Sequence, residues 1–461
     1  ILMFPLLVLL GLASVASAAD STLTLFKVPA GNCMDGTPAA YYYRPSPSGS
    51  SALWLFSLQG GGACFDEKTC TSRSKSKLGS SKNYKSTMGP TKDWMSADPK
   101  VNPDFHDANT VYVPYCSSDT HRGQQNSTSP ETWGFYFSGH RNLVEIVKDI
   151  KLKHAATFAG MKQALLTGGS AGGVGVIYNA DWLGSVLPPA ATLKAAPVGG
   201  WFFPGNFPDQ IEAHRSWCTP SLYPDFVAGT ATNCTVQGLG VDALWDSFYG
   251  ECADVLKDKS YQCSTVHVMY HHVHTPMYVM EYMYDKNQIE VQGLMPAADA
   301  KTPDGKRYQE YFGAGMRNST LSLKPGDGIF LASCLGHTEG LSVGGTTPIQ
   351  GKFSGEVLGD WFFNRPTSDL ILRDTCDASH GNLPCNQECH TGPSPSPGPA
   401  PSSKCAQALE KDCPDAQFPT PSKCGQCAKQ HRADLLLHGC TLNSVTSACE
   451  ARKKVWKTNP E

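Results

Sequence analysis

Long apolar runs are what this sequence lacks: outside a short leader, no stretch approaches the roughly 20 residues that a membrane-spanning helix requires. It also has no basic cluster. With 38 Lys and Arg against 41 Asp and Glu the net charge is -3, and the electrostatic footprint of a nucleic-acid binder is excluded. The densest lysines, from Lys68 to Lys85, are diluted by Ser and Gly and read as a solvated loop that could meet an acidic polymer. Cys424-Gly425-Gln426-Cys427 has no second CxxC after it, which argues against a zinc finger. His271, His272 and His274 stand together with no cysteine or carboxylate at ligand spacing, so no metal site is expected there.

Cysteine, by contrast, is abundant. Eighteen cysteines suit an oxidising compartment, where pairs become disulfides, and they divide evenly into twelve from Cys33 to Cys389 and six from Cys405 to Cys449. The chain opens on Ile1, runs almost wholly apolar to Leu12 and presents Ala16-Ser17-Ala18 as a small-residue cleavage site. Residues 1–18 therefore read as a secretory signal peptide whose basic segment precedes Ile1. Asn126, Asn233 and Asn318 each begin an Asn-x-Ser/Thr acceptor sequence and are candidate glycosylation sites, which agrees with a secreted or cell-wall location.

Composition divides the rest of the chain. Residues 19–390 are ample for one large α/β domain. Residues 391–404 are rich in Pro and Ser and cannot form helix or sheet, so they read as an extended, semi-rigid linker open to O-glycosylation. Residues 405–461 form a separate six-cysteine module, too small for a large apolar core and dependent on disulfides whose pairing the sequence does not choose. Lys423 to Leu437 has helical character. Such a module is either a terminal cap or an anchor to a wall polysaccharide or other partner.

The chemistry is announced by Lys162 to Gly173, an apolar run that enters Gly168-Gly169-Ser170-Ala171-Gly172 and then a helix-capable segment. This is the pattern of a nucleophile elbow, in which glycines two residues before and after the serine leave room for a sharp strand-to-helix turn. The helix that follows points backbone N–H groups at a bound acyl oxygen. About a hundred residues upstream, the buried strand pattern Leu53 to Gln59 runs into Gly60-Gly61-Gly62. Ala171 with Gly61 and Gly62 would form an oxyanion hole. Downstream, Pro276 to Tyr284 reads as a strand with Asp285 at its end, and Gly328 to Leu335 as another with His337 just beyond. The order serine, acid, base assigns Ser170 as nucleophile, Asp285 as orienting acid and His337 as general base. Asp246 and Asp254 are rival acids by position alone. The mechanism needs no cofactor.

These residues carry a family resemblance. Leu58-Gln59-Gly60-Gly61-Gly62-Ala63-Cys64, Pro114 to Asp119, Tyr136 to Gly139, the Ser170 elbow, Tyr284 to Ile289, Ser333 to His337, Gly359 to Phe362 and Pro384 to His390 resemble the pectin acetylesterase family, which includes the Notum carboxylesterases. The resemblance spans about residues 24 to 390. It implies an α/β-hydrolase fold, a central and mostly parallel sheet flanked by helices, with the roles just assigned to Ser170, Asp285, His337, Gly61, Gly62 and Ala171. It also implies hydrolysis of acetyl esters on a pectin-like polysaccharide, or Notum-like removal of a fatty acyl group from a secreted protein. A binding protein that kept the fold and lost the chemistry is the rival class.

Two departures qualify the resemblance. Gly62-Ala63 stands where many relatives carry tryptophan, which changes the wall beside the oxyanion hole. Val198 precedes Gly199-Gly200-Trp201-Phe202 where the family tends to have aspartate, so the support given by that acid is absent or comes from elsewhere. The segment from Asp360 to His390 is closer to plant pectin acetylesterases, and Pro114 to Asp119 is closer to Notum.

Overall fold

The computed structural model describes residues 22–64, 66–89, 91–202, 244–291, 303–366, 370–375, 384–389, 411, 413 and 427. Among these, parallel strands form wherever a short apolar run can be buried on both faces. The elements in chain order begin with β1 (Leu23–Asn32), β2 (Pro38–Arg44), β3 (Leu53–Leu58), α1 (Glu67–Ser74), β4 (Thr87–Met88) and β5 (Asn109–Val113). Next come α2 (Gly139–Lys153), α3 (Ala155–Ala159), β6 (Gln163–Gly169), α4 (Ala171–Val186) and β7 (Thr192–Val198). After short helices at Gly250–Leu256 and Val266–Tyr270 follow β8 (Tyr278–Asp285), a helix at Pro303–Ser319, β9 (Gly328–Gly336), β10 (Pro348–Ile349), β11 (Lys352–Phe353), a helix at Ser354–Phe362 and β12 (Ile371–Arg373).

One sheet in the order β12-β9-β8-β7-β6-β3-β5-β2-β1-β4 runs through the first unit. From β12 to β5 every pairing is parallel, and β2, β1 and β4 extend it antiparallel. The parallel strands are almost unbroken apolar sequence, as in Leu-Trp-Leu-Phe of β3 and Ala-Leu-Leu of β6, because helices and loops cover both faces. On one face, Ile146 and Ile150 of α2 and Val174 and Ile177 of α4 pack on Trp54, Phe56 and Leu166. On the other, Phe105, Val357, Leu358 and Trp361 pack on Leu55, Leu165 and Phe330. This is the expected α/β-hydrolase architecture.

Lys68 to Lys85 is not wholly a loop. Its first part is α1, because the Asp66 side chain caps the helix by accepting from Thr69 N at 2.8 Å, and the Cys64–Cys70 disulfide ties the helix to the preceding strand exit. The lysines remain exposed. Disulfides Cys33–Cys116, Cys252–Cys263 and Cys334–Cys389 add further cross-links, and no described cysteine is free. No helix among the described residues is long and apolar enough to cross a membrane.

The chain separates into two compact units, Ile1–His390 and Thr391–Glu461. In the second, Cys413 is bonded to Cys427. The helical reading of Lys423 to Leu437 lies almost wholly outside the described residues.

Candidate active site

In a parallel sheet, the carboxyl ends of the strands present their loops to a common edge. The elbow follows β6, the glycine loop follows β3, Asp285 ends β8 and His337 follows β9, so all the residues assigned from sequence lie at that edge.

Ser170 sits between β6 and α4 at φ 57° and ψ -125°, a conformation that costs a non-glycine residue roughly 1–3 kcal/mol and has to be imposed by its surroundings. The imposing contacts are its N–H, which donates to the Val198 carbonyl at 2.8 Å, and its carbonyl, which accepts from Val174 N at 3.0 Å. The space is tight: a methyl group on Gly172 would lie 2.2 Å from the Leu58 carbonyl oxygen, so any larger residue would push β3 away from the elbow. Ala171 is the first residue of α4, and the N–H groups of a first helical turn have no partner within the helix.

The glycine loop lies directly against this turn, and a methyl on Gly60 would come 3.0 Å from Ser170 Cβ. Gly61 and Gly62 have φ of 138° and 69°, a backbone path closed to most side chains, and both are exposed. Four contacts missed from sequence hold the loop. Arg73 of α1 donates from Nη2 to the Gly61 carbonyl at 2.7 Å and from Nε to Ser118 Oγ at 2.8 Å. The Gln59 side chain accepts from Tyr115 N at 3.0 Å. His121 Nε2 lies 2.8 Å from the Gln59 carbonyl, and since a carbonyl only accepts, that nitrogen carries the hydrogen. Burial pushes the His121 pKa down, which keeps the ring neutral. Buried Asp119 joins the neighbouring segments by accepting from Ser117 Oγ, His121 N and Gly139 N at 2.6, 3.1 and 2.7 Å. The Pro114–Asp119 and Tyr136–Gly139 motifs are thus the scaffold behind the glycine loop.

His337 Nδ1 is 2.6 Å from Asp285 Oδ2, so Asp285 rather than Asp246 or Asp254 is its partner. The carboxylate accepts, which puts the hydrogen on Nδ1 and leaves Nε2 free to accept a proton. Nε2 is buried and has no hydrogen-bond partner among the described residues. Asp285 is fully buried, and its other oxygen accepts from Gln288 N at 2.8 Å. The Glu339 carboxylate fixes the backbone at the base by accepting from His337 N at 3.0 Å and Thr338 N at 3.1 Å. Burial works to raise the Glu339 pKa, but these N–H donors and the nearby His337 outweigh it and hold the pKa below the usual range. The His337 loop packs beside the elbow: Thr338 Cγ2 is 3.4 Å from where a methyl on Gly169 would lie, and the His337 carbonyl 2.7 Å from one on Gly199.

Leu78 packs against the glycine loop, its Cδ2 lying 2.6 Å from a methyl position on Gly61, whereas a methyl on Gly62 would meet only Arg73 Nη1, at 3.9 Å. Phe202 meets the His337 ring edge-on at 6.1 Å between centroids. Val198 turns into the apolar cluster, and the acid near Trp201 comes from β8 instead: buried Glu281 accepts from Trp201 N at 2.8 Å. The clue in the sequence was a single charge inside the apolar run Met277 to Tyr284.

Other sequence candidates lie elsewhere. Asn126 and Asn318 are exposed, as glycosylation requires, whereas Asn233 lies outside the described residues. His274 Nε2 pairs with Glu251 at 2.8 Å, and no group of three potential metal ligands occurs among the described residues.

A strained serine between strand and helix, set beside an Asp–His pair at the carboxyl edge of a parallel sheet, defines the class of α/β-hydrolase-fold proteins. The family model described as Pectinacetylesterase matches residues 15–390, and the chain belongs to that family. Pectin acetylesterase 4 of Arabidopsis thaliana is 29% identical over 376 residues, covering 77% of this chain and 84% of the relative. Palmitoleoyl-protein carboxylesterase notum1a of Danio rerio is 28% identical over 312 residues, or 66% of this chain. The alignment spans 58% of that relative's length, and 55% of the NOTUM of Schmidtea mediterranea. A solved structure of the Wnt deacylase Notum from Drosophila superposes with a TM-score of 0.64 over 80% of this chain and 99% of that one. At 24% identity that likeness is one of fold.

Proposed function

We propose that the protein is a secreted serine carboxylesterase that removes a short acyl group, acetate first, from an acetylated polysaccharide of the pectin kind. The observation that carries this reading is the His337 Nδ1–Asp285 Oδ2 bond, which leaves the opposite ring nitrogen as a base beside the Ser170 elbow. Ser170 Oγ attacks the ester carbonyl while His337 Nε2 takes its proton. The N–H groups of Ala171 and of the Gly61–Gly62 loop stabilise the oxyanion. The intermediate collapses as His337 returns the proton to the sugar oxygen, leaving acetyl-Ser170. Water activated by His337 then releases acetate and frees the serine. The disulfides and the exposed Asn126 and Asn318 acceptor sites support passage through an oxidising secretory route.

The 77% coverage by a pectin acetylesterase favours the polysaccharide. Similarity to Notum favours a second reading, removal of a fatty acyl group from a secreted protein. Rates on p-nitrophenyl acetate and octanoate, with acetate release from acetylated pectin, decide between them: a preference for octanoate sinks the first. Equal, background-level hydrolysis by the wild type and Ser170→Ala would return the protein to the binding class. For the six-cysteine module we propose a wall-anchoring role. The test is a polysaccharide pull-down of the whole chain against one truncated after Cys389, and equal retention ends the idea.

A further inference from the structure

Behind the glycine loop, Ser118, Thr120 and His121 have φ of 54°, 55° and 59°, the left-handed region that non-glycine residues seldom enter. Three such residues within four persist only where the surroundings over-determine them. Buried Asp119 supplies part of that constraint, accepting from Ser117 Oγ and His121 N through Oδ1 and from Gly139 N through Oδ2. A methyl on Gly139 would lie 2.3 Å from Asp119 Oδ1, and one on Gly123 2.3 Å from Oδ2, so the carboxylate has no room to turn.

This strained backbone meets the glycine loop and its support at three points. His121 Nε2 donates to the Gln59 carbonyl at 2.8 Å, the Ser118 carbonyl accepts from Cys64 N at 3.2 Å, and Ser118 Oγ accepts from Arg73 Nε at 2.8 Å. The Ser118 hydroxyl donates in turn to the Leu78 carbonyl at 2.8 Å, which leaves its lone pairs for the guanidinium. Arg73 carries that constraint to the Gly61 carbonyl, which shares a peptide plane with the Gly62 N–H. From the other side, Asn179 of α4 donates from Nδ2 to the His121 carbonyl at 2.9 Å and to the Gly175 carbonyl at 2.8 Å. A methyl on Gly175 would come 2.8 Å from His121 Cβ, so helix and histidine are closely packed. The same helix begins at Ala171. His121 thus bonds to both elements assigned to the oxyanion, the glycine loop through its ring and the elbow helix through its backbone.

We propose that His121 and Ser118 are positioning residues for the esterase reaction, which hold the glycine loop and the start of α4 in register so that both sets of N–H groups meet one oxygen. Neither touches substrate or the reacting atoms. His121 acts through Gln59 and α4, and Ser118 through Arg73. The inference rests on the esterase reading above and deepens it by naming what shapes the oxyanion hole.

The test uses the whole protein, p-nitrophenyl acetate and phenylboronic acid, whose tetrahedral adduct on a serine puts an oxygen where the oxyanion forms. Wild-type turnover and its loss in Ser170→Ala secure the esterase reading first, so failure here is separable from failure of the enzyme claim. Stoichiometric p-nitrophenol release from diethyl p-nitrophenyl phosphate counts competent serines, so unfolded protein is not mistaken for slow chemistry. His121→Phe keeps a ring and removes the donor. Its kcat per competent serine is expected to fall about 10–100-fold with KM nearly constant, and its boronate inhibition constant to rise by a similar factor. His121→Gln returns an N–H near the place of Nε2, and both values should recover to within about fivefold of the wild type. Ser118→Ala removes a single oxygen and should lower kcat about 3–10-fold with a matching loss of boronate affinity. Wild-type kcat and boronate affinity in His121→Phe would overturn the proposal. So would a fall in kcat with boronate affinity unchanged, the mark of damage away from the oxyanion, or a glutamine variant no better than the phenylalanine one. If His121→Phe does not fold, Ser118→Ala decides: wild-type values in both assays end the idea.

Discussion

The Arg73 guanidinium donates to the carbonyl oxygen of Gly61 at 2.7 Å, so a charged side chain on α1 holds the peptide plane of the glycine loop proposed to bind the oxyanion. Arg73→Ala should therefore lower kcat about 10–100-fold on p-nitrophenyl acetate, less than outright loss of an oxyanion donor costs, while changing KM little. Steady-state kinetics beside a thermal melt check this, and an unaltered kcat would show that the loop holds its shape alone.

Asp285 fixes which nitrogen of His337 carries the hydrogen. Asp285→Asn keeps the shape but can donate to Nδ1, which moves the ring hydrogen to Nε2 and blocks uptake of the serine proton. A drop in kcat of about 10⁴-fold is expected, with the fold intact by circular dichroism. A loss of less than tenfold would point to another acid.

His140 makes acid stability a second readout of the fold. It is buried, stacks on Phe248 at 3.8 Å and bonds Asn179 Oδ1 through Nδ1 at 2.7 Å. Burial lowers its pKa from 6.5 to about 4. Between those values the unfolded chain holds the extra proton, so stability rises with pH; it is fully present above about 6.5 and is lost as pH falls toward 4. The contribution is about 3 kcal/mol. Urea titrations of wild type and His140→Asn across this window should diverge in slope, the variant being the flatter. Parallel curves would mean the ring accepts charge in the folded state.

The Cys334–Cys389 bridge closes a span of 55 residues, and constraint of the unfolded chain alone predicts roughly 4 kcal/mol. Because Cys334 lies three residues before His337 on β9, the paired change Cys334→Ser with Cys389→Ser should lower the unfolding temperature and reduce kcat together. Differential scanning calorimetry and the ester assay test both halves. Lost stability with full kcat would show that β9 holds its end unaided.

Much of this site is legible in the sequence, because a nucleophile elbow, a glycine-terminated strand and two strand ends with Asp285 and His337 are local patterns that local physics produces. The parallel strands are equally open, since burial on both faces leaves runs such as Leu53 to Leu58. What stays hidden is contact between chain-distant groups. That His121 reaches the Gln59 carbonyl, or that Arg73 reaches Gly61, leaves no period or spacing to read. The Lys68–Lys85 stretch misleads for a related reason: its composition is that of a loop, but Asp66 and the Cys64–Cys70 bridge supply a helix start that composition does not weigh. Glu281 was visible only as an oddity, an acid in an apolar strand, and its meaning depends on Trp201 from the neighbouring strand exit.

The bond from Cys389 to Cys334 also fixes where mechanical load would enter the molecule. Everything from residue 391 onward hangs from a point bolted to β9, one strand in from the sheet margin, rather than from a fraying terminus. A pull on the chain beyond residue 390 would reach β9 through this bridge, where β8 and β12 flank it on either side.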